Sequence, residues 1–467
     1  MAAKFGTSGL RGLAEELTGA VTRDHVRSFI RHLKAKRLAK TGGKVFIGLD
    51  FRVSSPILRV DVTAALAAEG MCEVYLGTVP TQALAFEAMA QKCAAIMITG
   101  SHIPADRNGI KFYRPDGEIT KADELAITSG ILKLKSGKAS DIKSQVGNIA
   151  GFLARYKKAF ARKPLRGMRV GVYQHSSVAR DMLVELLTAA GADAVPLARS
   201  DIFIPVDTEA VSDETLRLLK NWCVNGEFGA IVSADGDGDR PLVADEHGEI
   251  LRGDLLGLIA ARFLKARVVV TPITSNSGLD AYLPNGCMRT KVGSPFVIAG
   301  MIKAKKASAQ GIVGFEANGG FFTASRFKLG NTWLSPLPTR DCFLPILAVL
   351  VSAKKANQKL STFAAGFNLP EARAARLENF AVERSFALLN HLNNSPKAAQ
   401  DFFAPVGKII SRDLTDGLRL TFVSGEIVHL RPSGNAPELR CYVEAASALE
   451  ADKLLVQAVQ LLEDRRS

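Results

Sequence analysis

Three carboxylates, Asp235, Asp237 and Asp239, stand two residues apart, separated by Gly236 and Gly238 and followed by Arg240. Glycine lets the backbone curl, so carboxylates at this spacing converge on one hard cation, Mg²⁺ or Ca²⁺. A calcium EF-hand is the first rival. Counted from Asp235, Glu246 does fall twelfth, but Arg240 takes the sixth place, where that loop requires glycine, and the preceding GAIVSA reads as strand. The EF-hand is therefore rejected. A bare acidic turn is disfavoured as well, because three packed carboxylates repel one another unless a cation relieves them.

A second cluster runs Thr99, Gly100, Ser101, His102, Ile103, Pro104, with Asn108, Gly109 and Lys111 close behind. A serine beside a histidine invites a hydrolase reading. However, neighbouring side chains in extended backbone point apart, and no GxSxG elbow surrounds Ser101. Taken alone, Ser101 reads as a turn serine after a strand. Arg431, Pro432, Ser433, Gly434 and Asn435 offer a guanidinium, a hydroxyl, backbone N–H groups and an amide, a set able to cradle a phosphate. The same residues also make an ordinary turn. Glu316, Ala317, Asn318, Gly319 and Gly320 put a carboxylate and an amide on a flexible turn, which suits sugar hydroxyls.

The elements that must hold these loops share a grammar. In AAIMITGSH (94–102), GAIVSADGDGDR (229–240) and GIVGFEANGG (311–320), a short apolar run reading as a buried strand opens into a loop of small and polar residues. Helical and strand patterns alternate around each, which is the rhythm of α/β layers, and ligands of such sheets sit beyond the carboxyl ends of the strands. The expected architecture is three similar mixed α/β domains, 1–148, 149–250 and 251–365. A smaller α+β domain, 366–467, follows, where consecutive strands joined by a Ser-Gly turn predict an antiparallel sheet.

Bulk properties exclude several classes. The 467 residues are 47% apolar and 23% charged, a globular composition, and the longest apolar runs fall far short of a bilayer span. The N-terminus lacks the apolar core of a secretory signal, and six cysteines are scattered without a CxxC pair, so a cytoplasmic protein with reduced thiols is expected. Sixty Lys plus Arg against 46 Asp plus Glu give a net charge of +14, which favours an anionic partner. The most basic run, RSFIRHLKAKRLAK (27–40), carries Val26, Phe29, Ile30, Leu33 and Leu38 at helical spacing beside it. It reads as an amphipathic helix with a solvated basic face, with no stacking aromatics to mark a nucleic-acid reader.

In chain order, TGSH, DGDGDR, GFEANGG and RPSG, with GTSGLRG near the start, resemble the α-D-phosphohexomutase superfamily along essentially the whole chain. The resemblance implies four domains around a central cleft and a cytoplasmic isomerase that moves a phosphoryl group between two positions of a hexose phosphate. It implies that Ser101 is the phosphoserine and that Asp235, Asp237 and Asp239, with the serine phosphate, hold Mg²⁺. Lys111 is the preferred general base, His102 its acid-base or orienting partner, and Arg11 and Arg240 are charge-compensating cations at the reaction. Glu316 and Asn318 are to grip the sugar, and Arg431, Ser433, Gly434 and Asn435 the phosphate that is not transferred. A hexose 1,6-bisphosphate is the implied intermediate and activator, a phosphorylated hexose the partner, and a monomer or weak homodimer the assembly. Three loops depart from the common pattern, and in the phosphate loop Asn435 and Ala436 replace the threonine and the glutamate of GTEP. Asn318 and Gly320 replace the serine and histidine of GExSGH, and Ser294 stands where many relatives place a histidine. The loop pattern favours mannose phosphate over glucosamine phosphate, with glucose phosphate, or both sugars, as the runner-up. A non-catalytic sugar-phosphate sensor and a metal-dependent phosphatase are the remaining rivals.

Overall fold

The computed structural model describes residues 3–6, 9–132, 134, 143–432 and 437–464. Two compact units are formed, one from Met1–Val269 with Gly293–Ala364, the other from Val270–Val292 with Ala365–Ser467. The architecture is α/β, as expected.

In the first unit, Ala94–Ile98 is wholly buried between parallel neighbours Lys44–Leu49 on one side and antiparallel Arg107–Arg114 on the other. Its unbroken apolar run follows from covering both faces of the sheet. Ala94, Ile96 and Ile98 pack with Val45, Ile47 and Leu49, while Ala95 and Met97 point the other way, onto Leu84 and Ala88. Each fully buried aliphatic side chain contributes about 1.5–3 kcal/mol. A second sheet has the order Asp193–Arg199, Arg169–His175, Ala230–Ala234, Pro241–Ala244. A third group, Ile312–Phe315, Phe321–Thr323 and Leu337–Asp341, pairs antiparallel.

The three loops have one origin. Each leaves a buried strand and returns in an antiparallel one, with closing pairs Ile98↔Ile110, Ala234↔Pro241 and Phe315↔Phe321. Chemistry thus sits on β-hairpin ends rather than on strand-to-helix crossovers.

The basic helix, Ala20–Ala35, buries Val26, Phe29, Ile30 and Leu33, but its charged face is not simply solvated. Glu69 takes Arg27 at 3.1 Å and Arg31 at 2.8 Å, and Asp123 takes His32 at 2.7 Å and Lys36 at 3.1 Å. The carboxylates come from distant sequence, which helical periodicity could not register.

In the second unit, five antiparallel strands follow the order Glu371–Glu378, Glu438–Ala445, Ile427–Pro432, Leu418–Phe422, Ile409–Asp413. Helices Val382–Asn394 and Ala448–Glu463 share a core with them, giving the α+β unit expected from the Ser-Gly hairpin. Among the described residues, no helix is long and apolar enough to cross a membrane.

Candidate active site

The serine loop is folded around a guanidinium. Arg52, 2% exposed, donates to the carbonyls of Ser101 (3.1 Å), Ile103 (2.6 Å), Pro104 (2.6 Å) and Arg107 (2.9 Å), and its Nε to Asp50 Oδ2 (3.1 Å). A Cβ at Gly100 would lie 2.6 Å from the Arg52 Cζ, so the cation requires glycine there. Thr99 Oγ1 donates to Asp50 Oδ2 at 2.8 Å and accepts the Ser101 N–H at 2.8 Å. Burial drives the Asp50 carboxyl upward against the pull of Arg52. These constraints hold Ser101 at φ 56°, a left-handed conformation uncommon for residues with a side chain.

That conformation overturns one expectation. Because the backbone at Ser101 is not extended, the neighbouring side chains converge, and His102 Nδ1 lies 3.3 Å from Ser101 Oγ. Burial, then Arg240 and Arg11, push the imidazole far below its usual range, so His102 is neutral. On its other side, Ser101 Oγ donates to Asp235 Oδ2 at 2.5 Å.

The aspartate loop organises itself. Asp235 Oδ1 accepts the N–H groups of Asp239 (3.0 Å) and Arg240 (3.1 Å), and Gly238, at φ +75°, closes a turn onto the Asp235 carbonyl at 3.0 Å. Gly236 permits the two loops to touch, since a Cβ there would sit 2.6 Å from the Ser101 carbonyl oxygen. One oxygen from each of Asp235, Asp237 and Asp239 lies within 4.8 Å of the others, and all three residues are buried. Asp237 Oδ1 and Asp239 Oδ1 are buried without a hydrogen-bond partner among the described residues. An all-oxygen set with buried, unbonded carboxylate atoms fits a hard divalent cation such as Mg²⁺.

Cations crowd this loop. Lys111 Nζ, from strand Arg107–Arg114, lies 2.5 Å from Asp237 Oδ2 and 2.6 Å from Asp239 Oδ2. The depressed amine expected of a general base is absent. Burial alone lowers it, but Asp237 and Asp239 outweigh burial and raise it. Burial pushes Asp235 up, reinforced by its two acidic neighbours, whereas Asp239, equally buried, is drawn down by Lys111 and Arg340. Arg11, registered opposite Gly109, is lowered to about 10 by burial and by Arg240 and Arg340. Arg240 Nε stands 3.9 Å from Asp239 Oδ1.

Sequence reasoning missed three supports. Thr81 donates Oγ1 to Asp237 Oδ2 at 2.7 Å, and its N–H reaches the Asp237 carbonyl at 3.0 Å. Gln82 donates to the Gly238 carbonyl at 2.6 Å. Both open the helix Thr81–Ala90, and the trace in sequence is a polar pair heading a helix whose one other polar residue is Glu87. The third is Arg340, whose Nε donates to Glu316 Oε2 at 2.5 Å.

In the third loop Glu316 and Asn318 are both buried, and Asn318 Oδ1 accepts the Gly320 N–H at 3.0 Å. Arg431 belongs to the second unit, where its Nε donates to Asp416 Oδ2 at 2.8 Å. Ser433, Gly434 and Asn435 lie outside the described residues.

Comparison with known proteins places the chain in a family. Family profiles described as "Phosphoglucomutase/phosphomannomutase" match the chain at residues 2–138 (alpha/beta/alpha domain I), 252–368 (alpha/beta/alpha domain III) and 377–461 (C-terminal domain). A phosphomannomutase of Sinorhizobium fredii is 48% identical over 99% of both chains. One of Salmonella muenchen is 41% identical over 96% of this chain and 93% of its own. A phosphoglucosamine mutase of Alkalilimnicola ehrlichii is 28% identical over 96% and 94%. The crystal structure of a phosphoglucomutase/phosphomannomutase family protein from Burkholderia thailandensis superposes with a TM-score of 0.75 at 19% identity, covering 98% of this chain and 97% of that one.

Proposed function

Since the chain belongs to the α-D-phosphohexomutase superfamily, and so catalyses a phosphohexomutase-type transfer, we propose that it interconverts mannose 6-phosphate and mannose 1-phosphate through a phosphorylated Ser101 and a hexose 1,6-bisphosphate. The observation that carries this reading is the 2.5 Å contact of Ser101 Oγ with Asp235, which joins a hydroxyl able to carry phosphate to a buried carboxylate triad.

In the proposed cycle, the P–O bond to Ser101 Oγ breaks as a bond forms to a hydroxyl of the sugar, and the bisphosphate then turns to return its other phosphate to Ser101. The hydroxyl's proton passes to the neutral His102, while Lys111, held charged by Asp237 and Asp239, compensates phosphoryl charge instead of acting as the base. Asp235, Asp237 and Asp239 would hold Mg²⁺, which compensates phosphoryl charge. Arg11 and Arg240 add positive charge at the same end. Glu316 and Asn318 take sugar hydroxyls, and Arg431 with the loop after it takes the distal phosphate. Mannose is favoured over glucosamine because two relatives above 40% identity are phosphomannomutases, while a phosphoglucosamine mutase stands at 28%.

The test is steady-state turnover of mannose, glucose and glucosamine 1-phosphates with Mg²⁺ and a hexose 1,6-bisphosphate. Highest kcat/KM with mannose supports the reading. Highest kcat/KM with glucose makes the enzyme a phosphoglucomutase, and release of free phosphate in place of hexose 6-phosphate makes it a phosphatase.

A further inference from the structure

Arg340, next to last in the strand Leu337–Asp341, is 3% exposed, and three carboxylates surround it. Its Nε donates to Glu316 Oε2 at 2.5 Å, its Nη1 stands 3.5 Å from Asp239 Oδ2, and Glu118 adds a third favourable charge. Glu118 is itself fixed, accepting from Thr339 Oγ1 at 2.8 Å and Ser294 Oγ at 2.9 Å. Space has been made for the guanidinium's stem. A Cβ at Gly320 would meet Arg340 Cδ at 2.8 Å and Cγ at 3.0 Å, so the glycine at this end of the third loop is what lets Arg340 lie across it. Buried guanidinium groups are costly unless fully paired, and the planar fork suits two acceptors at a fixed separation.

We propose that Arg340 is a positioning residue for substrate: it fixes the carboxylate of Glu316 and ties the third loop to Asp239 of the aspartate loop, setting the distance between the sugar-gripping end and the reacting end. The inference rests on the reading of Glu316 as a sugar ligand. With that geometry, Arg340 acts through Glu316 and does not itself touch the transferring phosphoryl group. Gly320 serves it by staying small.

A double-mutant cycle on Arg340 and Glu316 tests this, read both as turnover and as calorimetric binding of mannose 1-phosphate with Mg²⁺. Arg340→Ala and Glu316→Gln are each expected to raise KM and Kd about tenfold, the scale of one charge-assisted hydrogen bond, with a smaller change in kcat. The double variant should be no worse than the weaker single variant. Gly320→Ala, which displaces the stem without removing the charge, should raise KM in the same direction and add nothing in the Arg340→Ala background. Arg340→Lys, which keeps the charge, should recover part of the loss and serves if Arg340→Ala does not fold. Multiplicative losses in the cycle, or a fall in kcat and melting temperature with KM unchanged, would overturn the inference. A wild type that binds mannose 1-phosphate without turnover, with the binding cycle non-additive, would sink the mutase reading and leave this one standing. A wild type that neither binds nor turns over defeats both.

Discussion

The serine loop and the aspartate loop meet at one hydrogen bond, yet they are held by opposite means. The first wraps a buried cation contributed from outside it: four carbonyl oxygens and Asp50 converge on Arg52. The second turns on an anion of its own, Asp235 Oδ1 collecting two backbone N–H groups, while its carbonyls are taken by donors from Thr81, Gln82, Ser177 and Val178. A loop that must present a nucleophile gains by having its carbonyls drawn inward, away from an incoming anion. A loop that must present oxygens to a cation gains by spending only one of them on its backbone. Asp235 does both jobs, with Oδ1 structural and Oδ2 at Ser101.

The largest expected effect comes from breaking the shared residue. Asp235→Asn keeps the shape of the side chain but halves its acceptor capacity and removes one charge from the cation site, so turnover should fall by about a hundredfold or more. Steady-state kinetics across a Mg²⁺ titration measures it. Activity that survives both this change and exhaustive chelation would show that the triad is structural.

Next is Arg52→Leu, which strips four carbonyls and Asp50 of their partner. Leaving one side of a buried ion pair uncompensated costs about 3–5 kcal/mol, so chemical denaturation should show a loss of that order and activity should fall with it. Asp237→Asn should barely change stability while weakening Mg²⁺ and slowing transfer. If the two variants destabilise equally, the contrast between a loop wrapped on a buried cation and a loop turned on its own carboxylate is wrong.

A smaller effect separates the loops by pH. His175 donates to the Ala234 carbonyl at 2.8 Å, directly behind the aspartate loop, and burial lowers its pKa to about 4. The unfolded imidazole binds its proton at higher pH than the folded one, so this contribution is complete above about pH 6.5 and is lost as pH falls towards 4. A His175→Asn variant should therefore show a flatter decline in stability between pH 7 and pH 4 than the parent, by urea denaturation. An identical slope would remove His175 from the account.

How far the site could be read in advance follows the same division. The aspartate loop was legible because its ligands and its glycines are contiguous, and the buried strands because an unbroken apolar run with a polar loop after it has few other interpretations. The serine loop was legible only as a motif. Its left-handed Ser101, and hence the approach of His102, depends on Arg52, 49 residues away, and no local pattern announces that contact. Arg340 is hidden for a like reason, 24 residues from Glu316 and visible in sequence only as an arginine near the end of a strand. A lysine acting as general base needs a depressed amine, and nothing local to Lys111 in the sequence decides its direction. The two aspartates that hold it come from another sheet, and they raise it.

The central claim is that Ser101 carries the phosphoryl group. Intact-mass measurement after incubation with a hexose 1,6-bisphosphate and Mg²⁺ tests it most directly, with peptide mapping to place the modification. The account predicts one added phosphate on Ser101 in the wild type and none in Ser101→Ala, whose melting temperature should stay near the parent's while turnover all but disappears. Robust mutase turnover in Ser101→Ala, or a phosphate mapped to another side chain, would contradict it.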